Sequence, residues 1–112
     1  LAYIDLSNNN LYGQIPVNIS SLSSLSYVDL NSNNLDGKIP YEIGNLQNLM
    51  VLDLSFNRLI GHIPTSLGNL TTLTQLVIHR NMVSGPIPDE IGNLVNHQAL
   101  QLSNCTLSGE IP

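Results

Sequence analysis

One phrase of residues returns at a fixed interval along the whole chain. IDLSNNNLYGQIP occupies 4–16, VDLNSNNLDGKIP 28–40, LDLSFNRLIGHIP 52–64, LVIHRNMVSGPIP 76–88 and LQLSNCTLSGEIP 100–112. The interval is 24 residues each time, with no insertion or deletion. A period of about 20–50 residues marks a stack of like units, each too small to bury its own apolar side. Counting columns from Leu1 divides the chain into coils 1–24, 25–48, 49–72, 73–96 and a partial 97–112.

The columns have distinct physical meanings. The apolar pair at columns 4 and 6 (Ile4 and Leu6, Val28 and Leu30, Leu52 and Leu54, Leu76 and Ile78) has the two-residue spacing of a strand. Column 13 is glycine in every coil, from Gly13 to Gly109, where the chain must turn or pass close to a neighbour. Column 16 is proline, which fixes φ and stops a helix from running through. Apolar columns 1, 4, 6, 11, 15, 19 and 22 then point to one axis, with His97 the exception in column 1. Stacked coils bury that ring against each other, with parallel strands about 4.8 Å apart. Column 9 holds Asn9, Asn33, Asn57, Asn81 and Cys105. An inward amide there is expected to bond the turn backbone of the next coil, where an unpaired group would cost about 1–3 kcal/mol. Cys105 fits the N/C alternative of such a ladder, as a small buried residue.

Composition removes several functions. The net charge is −5, and Lys38, Arg58 and Arg80 are the fixed cations, the reverse of a nucleic-acid-binding stripe. One cysteine gives no disulfide framework. His62, His79 and His97 have no metal-ligand spacing. No paired carboxylates, nucleophile with its base, or phosphate-cradling loop stands out, so we expect no enzyme, cofactor or metal.

The segment LSYVDLNSNNLDGKIPYEIGNLQN (25–48) and its neighbours resemble the plant-type leucine-rich repeat, as found in the extracellular domains of receptor-like kinases and receptor-like proteins. The signature L-x-G-x-I-P-x-x-I-G-N-L is specific to that subclass, and the resemblance covers all 112 residues. It implies a leucine-rich repeat solenoid: a right-handed arc with a parallel β-sheet on the concave face and mainly 3₁₀ and loop segments on the convex side. It implies binding of peptides, small ligands, co-receptors or pathogen enzymes at the cell surface or in the apoplast. The cysteine-paired cap usual in the family has no counterpart here, so the chain reads as a piece of a longer protein, marginal or self-associating alone. Membrane attachment, or a kinase, would belong to other parts of the parent. The paired arginines by which some such receptors hold a peptide carboxylate are missing, since Arg80 lies between His79 and Asn81. Sequons at Asn18, Asn69 and Asn104 are glycosylation candidates through the resemblance, because chance alone gives about two in a chain with 15 Asn and 17 Ser or Thr.

Columns 3, 5 and 7 alternate with the buried pair and face outward from the concave sheet, and column 8 follows at the strand edge. They read Tyr3, Asp5, Ser7, Asn8; then Tyr27, Asp29, Asn31, Ser32; then Val51, Asp53, Ser55, Phe56; then Gln75, Val77, His79, Arg80. The fixed columns build the coil and the drifting ones choose a partner. The fourth coil departs most, and the register makes Phe56 and Arg80 neighbours. We expect a contact patch of Tyr27, Val51, Asp53, Phe56, Gln75, Val77, His79 and Arg80, in the residue types enriched at binding hot spots. The stacked Asp5, Asp29 and Asp53 read as a solvated face, with repulsion of about 0.8 kcal/mol per pair at ~5 Å in water. The leading reading is part of a ligand- or co-receptor-binding ectodomain in signalling or defence. The alternatives are a secreted inhibitor resembling polygalacturonase-inhibiting proteins, and an ice-binding array, which His79 interrupts in column 7.

Overall fold

The computed structural model describes residues 2–94, 99–101 and 106–108, the last two segments and Asn93 by backbone alone. His97, the ladder position Cys105 and the sequon Asn104 lie outside the described residues.

Each coil contributes one strand to a five-stranded parallel sheet. The strands are Ala2–Asp5 (β1), Leu25–Asp29 (β3), Val51–Asp53 (β5), Gln75–Val77 (β6) and Ala99–Gln101 (β8), in that spatial order. The register steps by the sequence period: Tyr3 opposes Tyr27, Tyr27 opposes Val51, and Val51 opposes Gln75. A second layer of short parallel strands follows the turn in each coil, pairing Tyr12–Gln14 (β2) with Asn34–Asp36 (β4), and Ser84–Pro86 (β7) with Thr106–Ser108 (β9). A single bridge between Lys38 and Ile60 continues it.

Four 3₁₀ helices close the coils on the opposite side: Val17–Ser21 (η1), Tyr41–Asn45 (η2), Thr65–Asn69 (η3) and Asp89–Asn93 (η4). Each follows the column-16 proline, whose φ lies between −60° and −67°. The proline carbonyl accepts the N–H three residues on, as from Ile43 to Pro40 at 3.1 Å. Proline therefore starts the turn it cannot sit inside. Column 20 sets how closely these helices stack. A Cβ on Gly44 would lie 2.5 Å from the Ser66 carbonyl oxygen, and one on Gly68 2.5 Å from that of Glu90. Only glycine admits this approach.

The core is the ring of apolar columns. Val28, Leu46, Leu49, Leu52, Leu54, Leu70, Leu73, Leu76 and Ile78 are fully buried. Coil one is the open end: Leu6 is 46% exposed and Leu22 47%, where Leu30 and Leu46 are 5% and 0%. The column-9 amides run through this core. Asn57 Nδ2 donates to the carbonyls of Leu30 (2.9 Å), Leu54 (3.1 Å) and Ser55 (3.0 Å), and its Oδ1 accepts the Leu35 N–H at 3.0 Å. Asn33 and Asn81 repeat the pattern, with Asn33 reaching Leu6 and Leu11 and Asn81 reaching Leu54 and Leu59. The bonds thus reach the preceding coil, not the next one as the sequence reading supposed. The side chain leaves its turn on the side of the earlier coil, where it shares the column-6 carbonyl with that coil's own asparagine and takes the column-11 N–H.

Candidate functional site

Backbone geometry fixes how the concave columns present their side chains. In the first three coils the column-5 aspartate caps the turn that follows. Asp53 Oδ1 accepts the Ser55 N–H at 3.0 Å and its hydroxyl at 2.6 Å. Asp5 does the same with Ser7, and Asp29 with Asn31. Columns 5 and 7 are therefore one unit, a local side-chain turn of the kind aspartate forms two residues ahead. The Ser7 hydroxyl and amide hold the Asp5 carboxyl below the usual carboxylate range. The fourth coil replaces both members at once, with Val77 and His79.

Column 8 was read from the sequence only as the strand edge. All four described examples are left-handed: Asn8 (φ 56°), Ser32 (59°), Phe56 (56°) and Arg80 (62°). The conformation turns the N–H toward the following coil, where Asn8 donates to Asn31, Ser32 to Ser55 and Phe56 to His79 at 3.0–3.1 Å. The stack demands it whatever the side chain. Asparagine suits this region, whereas a bulky residue there is a genuine outlier, at about 1–2 kcal/mol. The sequence carried no signal of φ at Phe56 or Arg80.

Phe56 and Arg80 touch despite that strain. The Arg80 guanidinium carbon stands 5.8 Å from the Phe56 ring centroid, over the ring. His79 meets the same ring edge to face, with centroids 5.3 Å apart and planes at 83°. Phe56 is 48% exposed, so this cluster faces solvent. Val51, Asp53 and Gln75 are half-buried on β5 and β6 of the same sheet. Val77 departs from expectation: although outward in register, it is 4% exposed and offers a partner little surface.

At the other end of the sheet Tyr3 and Tyr27 stack face to face, with centroids 4.2 Å apart and planes 11° from parallel. Burial first, then the Asp29 charge, push the Tyr27 phenol up to about 12. Of the sequons, Asn18 lies on η1 and Asn69 on η3, both exposed and on the side away from the sheet. No group of three or more His, Cys, Asp or Glu suited to a metal occurs among the described residues. No described helix is long and apolar enough to cross a membrane.

A family model of the leucine-rich repeat region matches residues 1–111. The chain belongs to the leucine-rich repeat family. Its fold is that of the plant receptor ectodomains. The Arabidopsis thaliana BIR3–SERK2 complex contains a chain 38% identical, at a TM-score of 0.92 over 97% of this repeat protein and 58% of that chain. The Arabidopsis receptor kinase HAESA, solved with the peptide hormone IDA and the co-receptor SERK1, gives 38% identity and a TM-score of 0.95, over 100% of this chain and 19% of that one. A plant ice-binding protein gives 37% and 0.88, over 94% and 34%. This leucine-rich repeat chain therefore spans about three-fifths of the first of these and far less of the others. A comparison with curated protein sequences returns no match.

Proposed function

We propose that this chain is the ligand- or co-receptor-binding part of a plant cell-surface receptor ectodomain, and that it recognises a peptide or protein on the concave face around Phe56, His79 and Arg80. One observation carries the reading. The two bulky side chains at the left-handed column are the two that meet, in the coil pair whose outward residues diverge most. Strain of this kind persists where the surroundings over-determine it, and it gathers at ligand sites. The likeness to ectodomains solved with a peptide hormone and a co-receptor supports the same class of partner and an extracellular setting. Glycans on Asn18 and Asn69 would leave the sheet uncovered. The partner is bound without chemistry.

The ice-binding alternative loses support on the sheet. The Ser7 and Ser55 hydroxyls and the Asn31 amide donate at 2.6 Å to their own coil's aspartate, so they do not form a free ladder for water.

The reading is tested by selecting from a displayed random peptide library on the 112-residue chain. Selected peptides are expected to lose at least about tenfold in affinity when Phe56 and Arg80 are both changed to alanine, as at a binding hot spot. Peptides that bind the double variant as well as the parent would place the ligand surface elsewhere.

A further inference from the structure

We propose that a second surface, on the flank of the first three coils away from the concave sheet, docks a short extended stretch of a partner protein that carries apolar side chains beside a carboxylate. None of its lining residues lies in columns 3, 5, 7 or 8, so the proposal stands apart from the concave-face reading.

The surface is a groove of about 460 Å³ between the second strand layer and the 3₁₀ helices. Buried Ile15 and Ile39 form its floor. Val17 of η1 and Tyr41 of η2 border it on the helical side. Lys38 and Ile60, joined by the second-layer bridge, border it on the other. Val17, Tyr41 and Ile60 are 44–63% exposed.

The repeat supplies its own control for these exposed apolar residues. Column 17 holds Val17 and Tyr41 in the first two coils but Thr65 and Asp89 in the next two. Thr65 and Asp89 open η3 and η4 just as Val17 and Tyr41 open η1 and η2. Column 12 holds Ile60 in the third coil, between Asp36 and Ser84 of the coils on either side. The coil therefore folds with polar residues in both columns, and the core does not ask for apolar ones. Three apolar choices nevertheless gather at one groove. An exposed apolar patch rimmed by polar residues marks an interaction site. The open end of coil one does not account for it, because Tyr41 and Ile60 belong to the second and third coils.

Charge and length identify the occupant. Lys38 is the only charged residue among the described ones that line the groove, and it is exposed. Its stem lies across Gly61, where a Cβ would meet the Lys38 Cγ, Cδ and Cε at 3.0, 3.4 and 3.6 Å. Gln14 lies across Gly37 in the same way. Asp36 and Glu42 are the nearest carboxylates along the chain, and neither lines the groove. A carboxylate on the occupant complements Lys38. The lining comes from three successive coils. At about 4.8 Å per coil it spans about 10 Å, the length of about three extended residues.

The test is selection from a displayed random peptide library on the 112-residue chain. Each selected peptide is then measured on variants built from residues that the repeat already accepts. Val17→Thr and Tyr41→Thr copy Thr65, Ile60→Ser copies Ser84, and Lys38→Gln copies Gln14, so the parent's circular dichroism should be kept. We expect a class of peptides that keeps its affinity when Phe56 and Arg80 are changed to alanine. The same peptides should lose at least about tenfold when Val17, Tyr41 and Ile60 are changed together. They should share an Asp or Glu and weaken about two- to fivefold in Lys38→Gln, the range of an exposed ion pair. Added salt should reproduce the loss seen in Lys38→Gln and not the larger one. Peptides that all bind the triple variant as well as the parent would overturn the docking site, whatever they show at Phe56 and Arg80. Groove-dependent peptides that lack a carboxylate, or that ignore Lys38→Gln, would overturn the charge assigned to the occupant.

Discussion

Phe56 and Arg80, one coil apart, both hold φ near +60° and meet with the guanidinium carbon 5.8 Å from the ring centroid. The contact links two residues in a conformation that neither side chain favours. A cation–π pair at an exposed site contributes about 0.5–1 kcal/mol, less than the about 1–2 kcal/mol of left-handed strain at Arg80 alone. Arg80→Asn should therefore raise stability by about 0.5–1 kcal/mol, since asparagine enters this region readily. Ligand affinity should fall in the same variant, the usual opposition of stability and function. A thermal melt of the variant decides it, and a lower midpoint than the parent would show that the conformation is not strained.

The amide ladder should be most sensitive in the interior. Asn57→Ala removes the acceptor of the buried Leu35 N–H and takes one of two side-chain amide donors from each of the Leu30 and Leu54 carbonyls, which keep Asn33 and Asn81. We expect a loss of about 3 kcal/mol. Asn9, exposed and bonded only to Leu6 and Ser7 of its own coil, should lose under about 1 kcal/mol on the same change. Urea denaturation of the two variants gives the comparison, and equal losses would remove the inter-coil bonds from the account.

Gly44 and Gly13 separate two reasons for glycine. A Cβ at Gly44 would meet the Ser66 carbonyl oxygen at 2.5 Å, while one at Gly13 (φ 87°) meets nothing within 4 Å. Gly44→Ala should cost about 1–3 kcal/mol by forcing η2 and η3 apart. Gly13→Ala should cost about 1 kcal/mol, from its dihedral alone. A larger loss at Gly13 than at Gly44 in the same denaturation assay would reverse the assignment.

High pH should weaken the first two coils through Tyr27. Its phenol is pushed up to about 12, first by burial and then by Asp29. An unfolded tyrosine ionises near pH 10, so from about pH 10 to about 12 the unfolded chain holds fewer protons than the folded one. Stability then falls across that window, and Tyr27→Phe should flatten the fall. The difference in phenolate absorbance between parent and variant reports the group directly. A difference titrating near 10 would mean that the Tyr3–Tyr27 stack does not shield it.

Columns 4, 6, 9, 13 and 16 were legible because each needs a residue type that little else explains. The strand register, the proline-led turns and the Phe56–Arg80 adjacency follow from the 24-residue period. Four features were hidden. The left-handed column 8 is masked where Phe56 and Arg80 replace residues that signal it. The coupling of columns 5 and 7 is a local hydrogen bond, set by the folded turn between Asp53 and Ser55. The close approach at Gly44 depends on the helix of the next coil. The burial of Val77 depends on neighbours in three dimensions, which an alternating pattern cannot report. Within the proposed patch, adjacency was readable and accessibility was not.

The direction of the amide bonds gives the solenoid a grain. Asn33, Asn57 and Asn81 each fasten the coil before them, as Asn33 does to Leu6 and Leu11. One face of any coil therefore presents a side-chain amide, and the other presents main-chain groups waiting for one. Two such faces match only head to tail. A contact of that kind does not close on itself. Coils of this sequence can be added at either end in one orientation, so the array lengthens as a polar rod and cannot pair face to face into a symmetric dimer through its core.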